Sequence, residues 1–199
     1  IVNASYYGNA SLDINPGITL RGWGSIVNYG SYQGAQLLNH GVIEASSSGQ
    51  TLQISTGSAS NSGNGALVPG FRNAGTLRAS SGGVLEIGAY ANDSWASDPG
   101  ARIELAGGTV RLGGGFTATD LLNGTVNPLS IISGSGSIYV TGALDLGGSS
   151  IDIAPGAGTN NLFGSVGLSG LGGTVSNGTL YSTSSGFLLR GGDDRLNPG

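Results

Sequence analysis

The sequence predicts an all-β protein, a right-handed parallel β-helix (β-solenoid) of roughly eight to ten coils at about 20 residues each, with almost no helix. Three observations indicate this fold. Apolar and polar residues alternate in many short segments, a short motif recurs along the chain, and glycine supplies 40 of the 199 residues. No segment of helical length has apolar residues spaced three and four positions apart, as an amphipathic helix requires.

The alternating segments are spread over most of the chain. They are SLDI (11–14), ITLRG (18–22), VIEA (42–45), TLQIS (51–55), TLRA (76–79), VLEIG (84–88), RIELA (102–106), TVRLG (109–113), SIYV (137–140), ALDLG (143–147) and SIDIA (150–154). Alternation over a few residues is typical of a strand with one buried face and one solvent face. Gly, Ser, Asn or Pro separates the segments, so we expect short strands joined by tight turns.

The clearest repeat joins residues 39–55, NHGVIEASSSGQTLQIS, with residues 73–88, NAGTLRASSGGVLEIG. Each copy opens on Asn-x-Gly, runs through a short alternating segment and a small-residue turn, and closes on a second alternating segment. Asparagine tolerates the left-handed backbone region and bonds the neighbouring main chain, so it suits a corner. We therefore predict Asn39 and Asn73 at coil corners on one edge, with side chains bonding main chain or each other.

One such coil cannot bury its inner face alone, so coils must stack and place equivalent residues above one another. Shorter copies of the unit occur at 14–26 and 176–192. On this basis Leu85 is predicted to lie in the core near Ile43 or Leu52.

Domain organisation follows from where the pattern holds. We expect a single β-solenoid domain over residues 1–190. Loops are expected to be inserted near 56–70 and 88–101, where the alternation stops, and the segment 191–199 is expected to be an irregular C-terminal tail.

Composition excludes several classes of function. Charged residues are 9% of the chain, the net charge is −4, and the seven basic residues are all arginine, so a nucleic-acid surface is not expected. There is no cysteine and hence no disulfide framework. No apolar run reaches the roughly 18–20 residues that span a bilayer, so we expect no membrane insertion of this segment. The missing start Met predicts a processed chain or a fragment of a longer one.

The Asn-x-Gly-x-Leu/Ile-x-Ala unit, followed by a Gly-rich turn and Leu-x-Ile, resembles the degenerate repeats of bacterial secreted β-solenoids. Autotransporter passengers and filamentous-haemagglutinin-like adhesins are such proteins. The resemblance covers most of residues 11–190 and implies export, an extracellular or cell-surface location, and a structural or adhesive role. It brings no catalytic residues with it.

The loop 88–101 is the best candidate for recognition, because it gathers aromatic and acidic side chains in a chain poor in aromatics. Its candidate binding residues are Tyr90, Asp93, Trp95 and Asp98. Exposed aromatic faces flanked by acids suit sugar stacking or protein contact. In the alternative interpretation, which we favour, Trp95 and Tyr90 fold back and cover the solenoid flank.

Carboxylates recur between apolar residues, at positions that should point outward. They are Asp13, Glu44, Glu86, Glu104, Asp145 and Asp152. They could form a stripe for Ca²⁺ or a saccharide, or a pair for glycoside cleavage. Arg21, Arg78 and Arg111 occupy equivalent outward positions, which favours mixed surface charge instead. His40 occupies a corner position that is Ala74 in the second copy, so a catalytic role for it is not favoured.

The two ends of the chain are predicted to self-associate. A β-helix is an open stack, and its end strands invite pairing unless charge, proline or a covering element protects them. The residues assigned to this contact are Ile1, Val2, Tyr6, Tyr7, Phe187, Leu188 and Leu189. Contact between opposite ends is heterologous and propagates as a filament, with residues 1–14 pairing onto the last coil near 180–190 of the next subunit.

The sequence thus predicts a non-enzymatic structural or adhesive β-solenoid of the bacterial cell surface or extracellular matrix, stacking head to tail into fibres. The alternative is a carbohydrate-binding or carbohydrate-cleaving β-helix protein. No catalytic residue, cofactor or metal site is predicted. The expected partners are other copies of the chain, with surface glycans or host proteins as further candidates.

Overall fold

The structure is a computed structural model that describes residues 2–3, 11–27, 36–60, 67–123, 129–156, 161–183 and 195–196. The first strands are β1 (Val2–Asn3), β2 (Leu12–Ile14), β3 (Thr19–Gly22), β4 (Gly24–Val27), β5 (Leu37–Asn39), β6 (Val42–Ala45), β7 (Thr51–Ser55), β8 (Ser58–Ser60), β9 (Leu67–Pro69), β10 (Phe71–Asn73), β11 (Thr76–Ser80) and β12 (Val84–Ile87). The remaining strands are β13 (Trp95–Ser97), β14 (Arg102–Leu112), β15 (Gly115–Thr117), β16 (Leu122–Asn123), β17 (Leu129–Ser130), β18 (Ile132–Val140), β19 (Ala143–Asp145), β20 (Ser150–Asp152), β21 (Gly170–Leu171), β22 (Thr174–Ser176), β23 (Thr179–Tyr181) and β24 (Arg195–Leu196). Within the described residues the helical content is one 3-10 turn, Ala118–Leu121, so the prediction of an all-β chain with almost no helix is confirmed.

The strands stack in parallel on three faces, which makes the chain a parallel β-solenoid. The first face contains β3, β6, β11 and the first parts of β14 and β18. The second face contains β1, β4, β7, β12, the second parts of β14 and β18, and β21. The third face contains β2, β5, β10 and β13, then β15, β19, β22 and β24. Strands β20 and β23 form a separate parallel pair.

Five strands stack on the first face, so the solenoid has about five turns. The prediction of roughly eight to ten coils, which assumed about 20 residues per coil, is therefore wrong. Register partners on this face are separated by 23 residues (19 to 42), 34 (42 to 76), 26 (76 to 102) and 29 (103 to 132). Each turn is longer because it contains two or three alternating segments and, in places, an inserted excursion.

The core is built from inward-pointing residues that lie above one another in successive turns. On the first face these are Leu20, Ile43, Leu77, Ile103 and Ile132, and on the second face Leu52, Leu85, Val110 and Ile138. Leu85 is fully buried and lies in register with Leu52, as predicted. Burial of each such side chain stabilises the fold by roughly 1.5–3 kcal/mol, which is why one continuous apolar column can hold the turns together.

A short ladder of asparagines marks one corner, as the repeat predicted. The Asn39 side-chain amide donates to Oδ1 of Asn73 at 2.8 Å, and both residues are fully buried. Each Oδ1 also accepts the backbone N–H two residues later, from Gly41 at 3.2 Å and Gly75 at 3.3 Å. A Cβ at Gly75 would lie 2.3 Å from the carbonyl oxygen of Gly41, so the close stacking of the two corners requires glycine.

The ladder stops one turn later. Asn73 lies in register with Ser97 on the third face. Among the described residues, the Asn73 amide nitrogen and the Ser97 hydroxyl are both buried without a hydrogen-bond partner. The asparagine column therefore stabilises the corner between two turns only.

The two segments expected to be loops contain some regular structure. Within 56–70, strands β8 and β9 form an antiparallel hairpin that belongs to none of the parallel sheets. Within 88–101, the three residues of β13 pair with β10 and extend the third face. From the expected tail, only Arg195–Leu196 is described, as a strand paired with β22.

Strand β14 turns from the first face onto the second without a break. The sequence indicated two separate segments here, 102–106 and 109–113, whereas the structure has one strand of eleven residues. Its pairing with β11 and β18 shifts register beside the Gly107–Gly108 pair, where the strand bends. Glycine permits this bend because Gly107 adopts a positive φ of 79°. Gly108 then lies close to β11, where a Cβ would be 2.5 Å from the Ala79 carbonyl carbon.

Candidate functional site

Trp95, the aromatic centre of the predicted recognition loop, lies in the core and is 2% exposed. Its ring stacks on Phe116 with centroids 4.8 Å apart and planes inclined by 25°. Its indole N–H donates to the carbonyl of Gly113 at 3.0 Å. In this fold Trp95 covers the solenoid interior, in agreement with the alternative interpretation that the sequence favoured.

Asp93 is also buried, where it ties two excursions of the chain together. One carboxylate oxygen accepts the backbone N–H of Gly57 at 2.6 Å and the hydroxyl of Ser55 at 3.2 Å. The other accepts the backbone N–H of Tyr90 at 3.0 Å. These donors occupy the carboxylate, so Asp93 organises the loop from within.

The other two candidate residues reach the surface. Tyr90 is 64% exposed, so the favoured interpretation, in which Tyr90 also folds back over the solenoid flank, is wrong for this residue. Asp98 accepts hydrogen bonds from the Arg72 guanidinium, one of them through Nε at 3.2 Å. The hydrogen bond to Asp98 is the main cause that raises the pKa of Arg72 above its ordinary value.

The structure thus does not bring Tyr90, Asp93, Trp95 and Asp98 together on one exposed surface. Two of them are inside and one is held in an ion pair. Recognition through this loop stays a prediction, and in this arrangement Tyr90 is the side chain that would contact a partner.

The outward-pointing charges of the first face form a row in which the sign alternates from strand to strand. We call Arg21, Glu44, Arg78 and Glu104 the first-face row, because they are successive register partners on β3, β6, β11 and β14. Arg21 Nε lies 3.4 Å from Glu44 Oε2, and Arg78 Nη2 lies 2.6 Å from Glu104 Oε2. The hydrogen bond to Glu104 raises the pKa of Arg78 above its ordinary value.

A shallow groove runs beside this row and is lined by it together with Ser80 and Ser133. The Ser80 hydroxyl donates to Glu44 at 2.7 Å, so this carboxylate is held from two sides. Opposite charges on neighbouring strands stabilise the pairing of the strands, each pair by a fraction of a kcal/mol up to about 1 kcal/mol. The first-face row therefore joins turns, and its carboxylates are already bound by groups of the chain.

A second row lies on the outer side of the second face. We call Gln53, Glu86, Arg111 and Tyr139 the second-face row, since they are successive register partners on β7, β12, β14 and β18. Gln53 donates to Glu86 at 3.2 Å. Sequence reasoning noted Glu86 and Arg111 as outward residues, but the row depends on register between turns, which the sequence alone does not show.

The N-terminal end of the stack exposes an edge. Among the described residues β3 pairs on one side only, with β6. Ile18 and Trp23 flank this strand and are 50% and 67% exposed. Positive φ angles of 132° and 122° at Gly22 and Gly24 bend the chain on both sides of the tryptophan and turn it outward.

The residues predicted to carry self-assembly are mostly outside the described part of the chain. Ile1, Tyr6, Tyr7, Phe187, Leu188 and Leu189 all fall there. The backbone of Val2–Asn3 pairs in parallel with Ile26–Val27, so this stretch adds a strand to the second face.

Neither His40 nor the outward carboxylates form a metal-binding cluster among the described residues. His40 Nδ1 lies 2.8 Å from Asp13 Oδ1 at an exposed corner, which makes a surface pair. Across the described ranges, no three His, Asp or Glu side chains come together as metal ligands would.

The helical part of the described structure, a single 3-10 turn, includes nothing long and apolar enough to span a membrane.

Fold and faces together define a parallel β-solenoid protein. Comparison with known proteins assigns it to no particular group, since no protein-family model, curated protein or solved structure matches the chain.

Proposed function

We propose that this chain is a non-enzymatic structural or adhesive β-solenoid of the bacterial cell surface or extracellular matrix, which stacks head to tail into fibres. We further propose a right-handed coil, the usual hand of parallel crossovers, and a build like that of autotransporter passengers and filamentous-haemagglutinin-like adhesins. The observation that most supports this proposal is the edge of β3, which pairs on one side only among the described strands and lies between the exposed side chains of Ile18 and Trp23.

An open edge strand offers unpaired N–H and C=O groups to another strand. Arg21 is 63% exposed, with Glu44 on one side, so the alternating first-face row has room for a further strand on the other. At the opposite end β23 pairs with β20 alone among the described strands, and Tyr181 on it is 39% exposed. Two different open edges favour a heterologous contact, which propagates into a filament when it does not close into a ring.

The charges on the faces support a structural role. The two arginines and two carboxylates of the first-face row form ion pairs with each other between successive turns. A row of charged side chains also offers no contiguous apolar patch along this part of the face for another copy to bury. Contact between copies is therefore directed to the ends.

Deleting residues 1–10 tests the assembly proposal. We expect the truncated chain to stay folded, because the buried column begins at Ile14, and to lose the capacity to form long particles. The measurements are far-UV circular dichroism for the fold, and negative-stain electron microscopy with light scattering for particle length. Trp23→Ser, at the β3 edge, should also shorten the particles.

The matched control is Tyr90→Ala, which changes an equally exposed aromatic on a flank and should leave particle length unchanged. Assembly is excluded if the intact chain runs as a monodisperse monomer at high concentration.

A further inference from the structure

The second-face row differs from the first in having an arginine that makes no ion pair. Among the described residues, Arg111 has no carboxylate oxygen within 4.0 Å of its guanidinium. Its register partner Glu86 accepts a hydrogen bond from Gln53, one turn further away. Arg111 is exposed, and its guanidinium donates a hydrogen bond to no other described residue. Its five N–H donors can therefore bind a planar anion such as a carboxylate in bidentate fashion.

Next to Arg111 in the row lies a partly exposed aromatic ring. Tyr139 is the register partner of Arg111 and is 37% exposed. Its ring lies over Gly170 on the following strand, where a Cβ would come within 2.9 Å of Cδ1 and 3.0 Å of Cε1. Glycine at this position lets the ring approach the backbone of the next strand while more than a third of the Tyr139 surface stays exposed.

The row thus combines four different groups on one face of the solenoid. Adjacent strands are about 4.8 Å apart, so Gln53 to Tyr139 spans roughly 14 Å, enough for several sugar rings in line. The amide and carboxylate can exchange hydrogen bonds with hydroxyl groups, the arginine can bind a carboxylate, and the aromatic ring offers an apolar surface beside a polar tip.

We propose that the second-face row binds an extended oligosaccharide that carries carboxylate groups. In this arrangement Arg111 binds a sugar carboxylate, Tyr139 packs against a sugar ring, and Glu86 and Gln53 bind ring hydroxyls. A row of register partners suits a linear chain laid along the solenoid axis, because each turn presents its group about 4.8 Å from the next. The inference deepens the adhesive part of the proposed function by naming a class of ligand and a face.

The test compares two tetrasaccharides that share one linkage, β-1,4-linked mannuronate and neutral β-1,4-linked mannotetraose, by isothermal titration calorimetry at low salt. We expect the acidic probe to bind, and Arg111→Gln to weaken it about tenfold, as the loss of charge-assisted hydrogen bonds predicts. Tyr139→Ala should weaken the acidic probe as well. We expect the intact protein to bind the neutral probe weakly. Its affinity for that probe should not exceed the affinity of the Arg111→Gln variant for the acidic probe.

Arg102→Gln is the matched control, because Arg102 is another exposed arginine without an ion pair among the described residues, and it lies on the first face. It should leave binding unchanged. The proposal is overturned if neither probe binds, if Arg102→Gln weakens binding as much as Arg111→Gln, or if a tetra-aspartate peptide binds as tightly as the acidic sugar. Electron microscopy of the same variants separates this outcome from assembly, since loss of sugar binding should leave particle length unchanged.

Discussion

Replacing Leu85 with aspartate is expected to abolish folding. Leu85 is fully buried and lies in register between Leu52 and Val110, in the middle of the apolar column. An aspartate there would place a charge in the core with no partner, at a cost of several kcal/mol that approaches the whole stability of an ordinary domain, about 5–15 kcal/mol. Circular dichroism during urea and thermal unfolding should show no cooperative transition.

The neighbouring residue supplies the control. Glu86 follows Leu85 on the same strand and points outward, so Glu86→Ala should change the free energy of unfolding by only about 0.5 kcal/mol. A Leu85→Asp protein that still melted cooperatively would show that the alternation of buried and exposed residues in β12 has been misassigned.

Trp95→Ala is expected to destabilise the protein by about 3–5 kcal/mol, the usual cost of removing a large buried aromatic. The variant loses the stack on Phe116 and the hydrogen bond to Gly113, and it leaves a cavity where β13 meets the next turn. The free energy of unfolding from urea titration measures this effect. If Trp95 served recognition instead, its removal would abolish ligand binding at unchanged stability.

Tyr90→Ala separates the two roles within the same loop. The Tyr90 side chain is exposed, so its removal should alter stability by no more than about 0.5 kcal/mol. If Trp95→Ala and Tyr90→Ala destabilised the protein equally, the assignment of Trp95 as buried and Tyr90 as exposed would be contradicted.

Much of the fold could be predicted from the sequence, because its main signals are local. Alternation over four or five residues places Ile43, Leu77 and Leu85 inside, since successive strand residues point to opposite sides. The Asn-x-Gly motif predicted stacked corners, and these corners depend on the asparagine amide bonds and on a glycine that lacks a Cβ. Asn39 and Asn73 do not adopt the left-handed backbone region that was expected to suit them to a corner.

The number of turns could not be predicted in the same way. A turn closes when the chain returns to the first face, and the closure length varies from 23 residues (19 to 42) to 34 (42 to 76). Excursions such as the β8–β9 hairpin lengthen a turn without altering the alternating segments, so their spacing does not reveal the closure.

The sequence predicts the candidate site less well than it predicts the fold. Strand β13 has only three residues, too few for an alternation to stand out, so Trp95 was read as part of a loop. Its packing partner Phe116 belongs to the next turn. The second-face row depends on register across four strands, and a shift of one residue in any strand would turn that strand's member of the row inward.

The central claim is that successive turns stack in parallel in one register, and cysteine cross-linking tests it most directly because the chain has no cysteine of its own. Glu44 and Arg78 are register partners on adjacent strands, about 4.8 Å apart, within the span of a disulfide. Glu44 and Glu104 are two strands apart, roughly 9–10 Å, which exceeds the limit of about 7 Å. We predict that Glu44→Cys with Arg78→Cys oxidises to an intramolecular disulfide, while Glu44→Cys with Glu104→Cys stays reduced. Absence of the first cross-link, or equal yields of both, would contradict the stacked register.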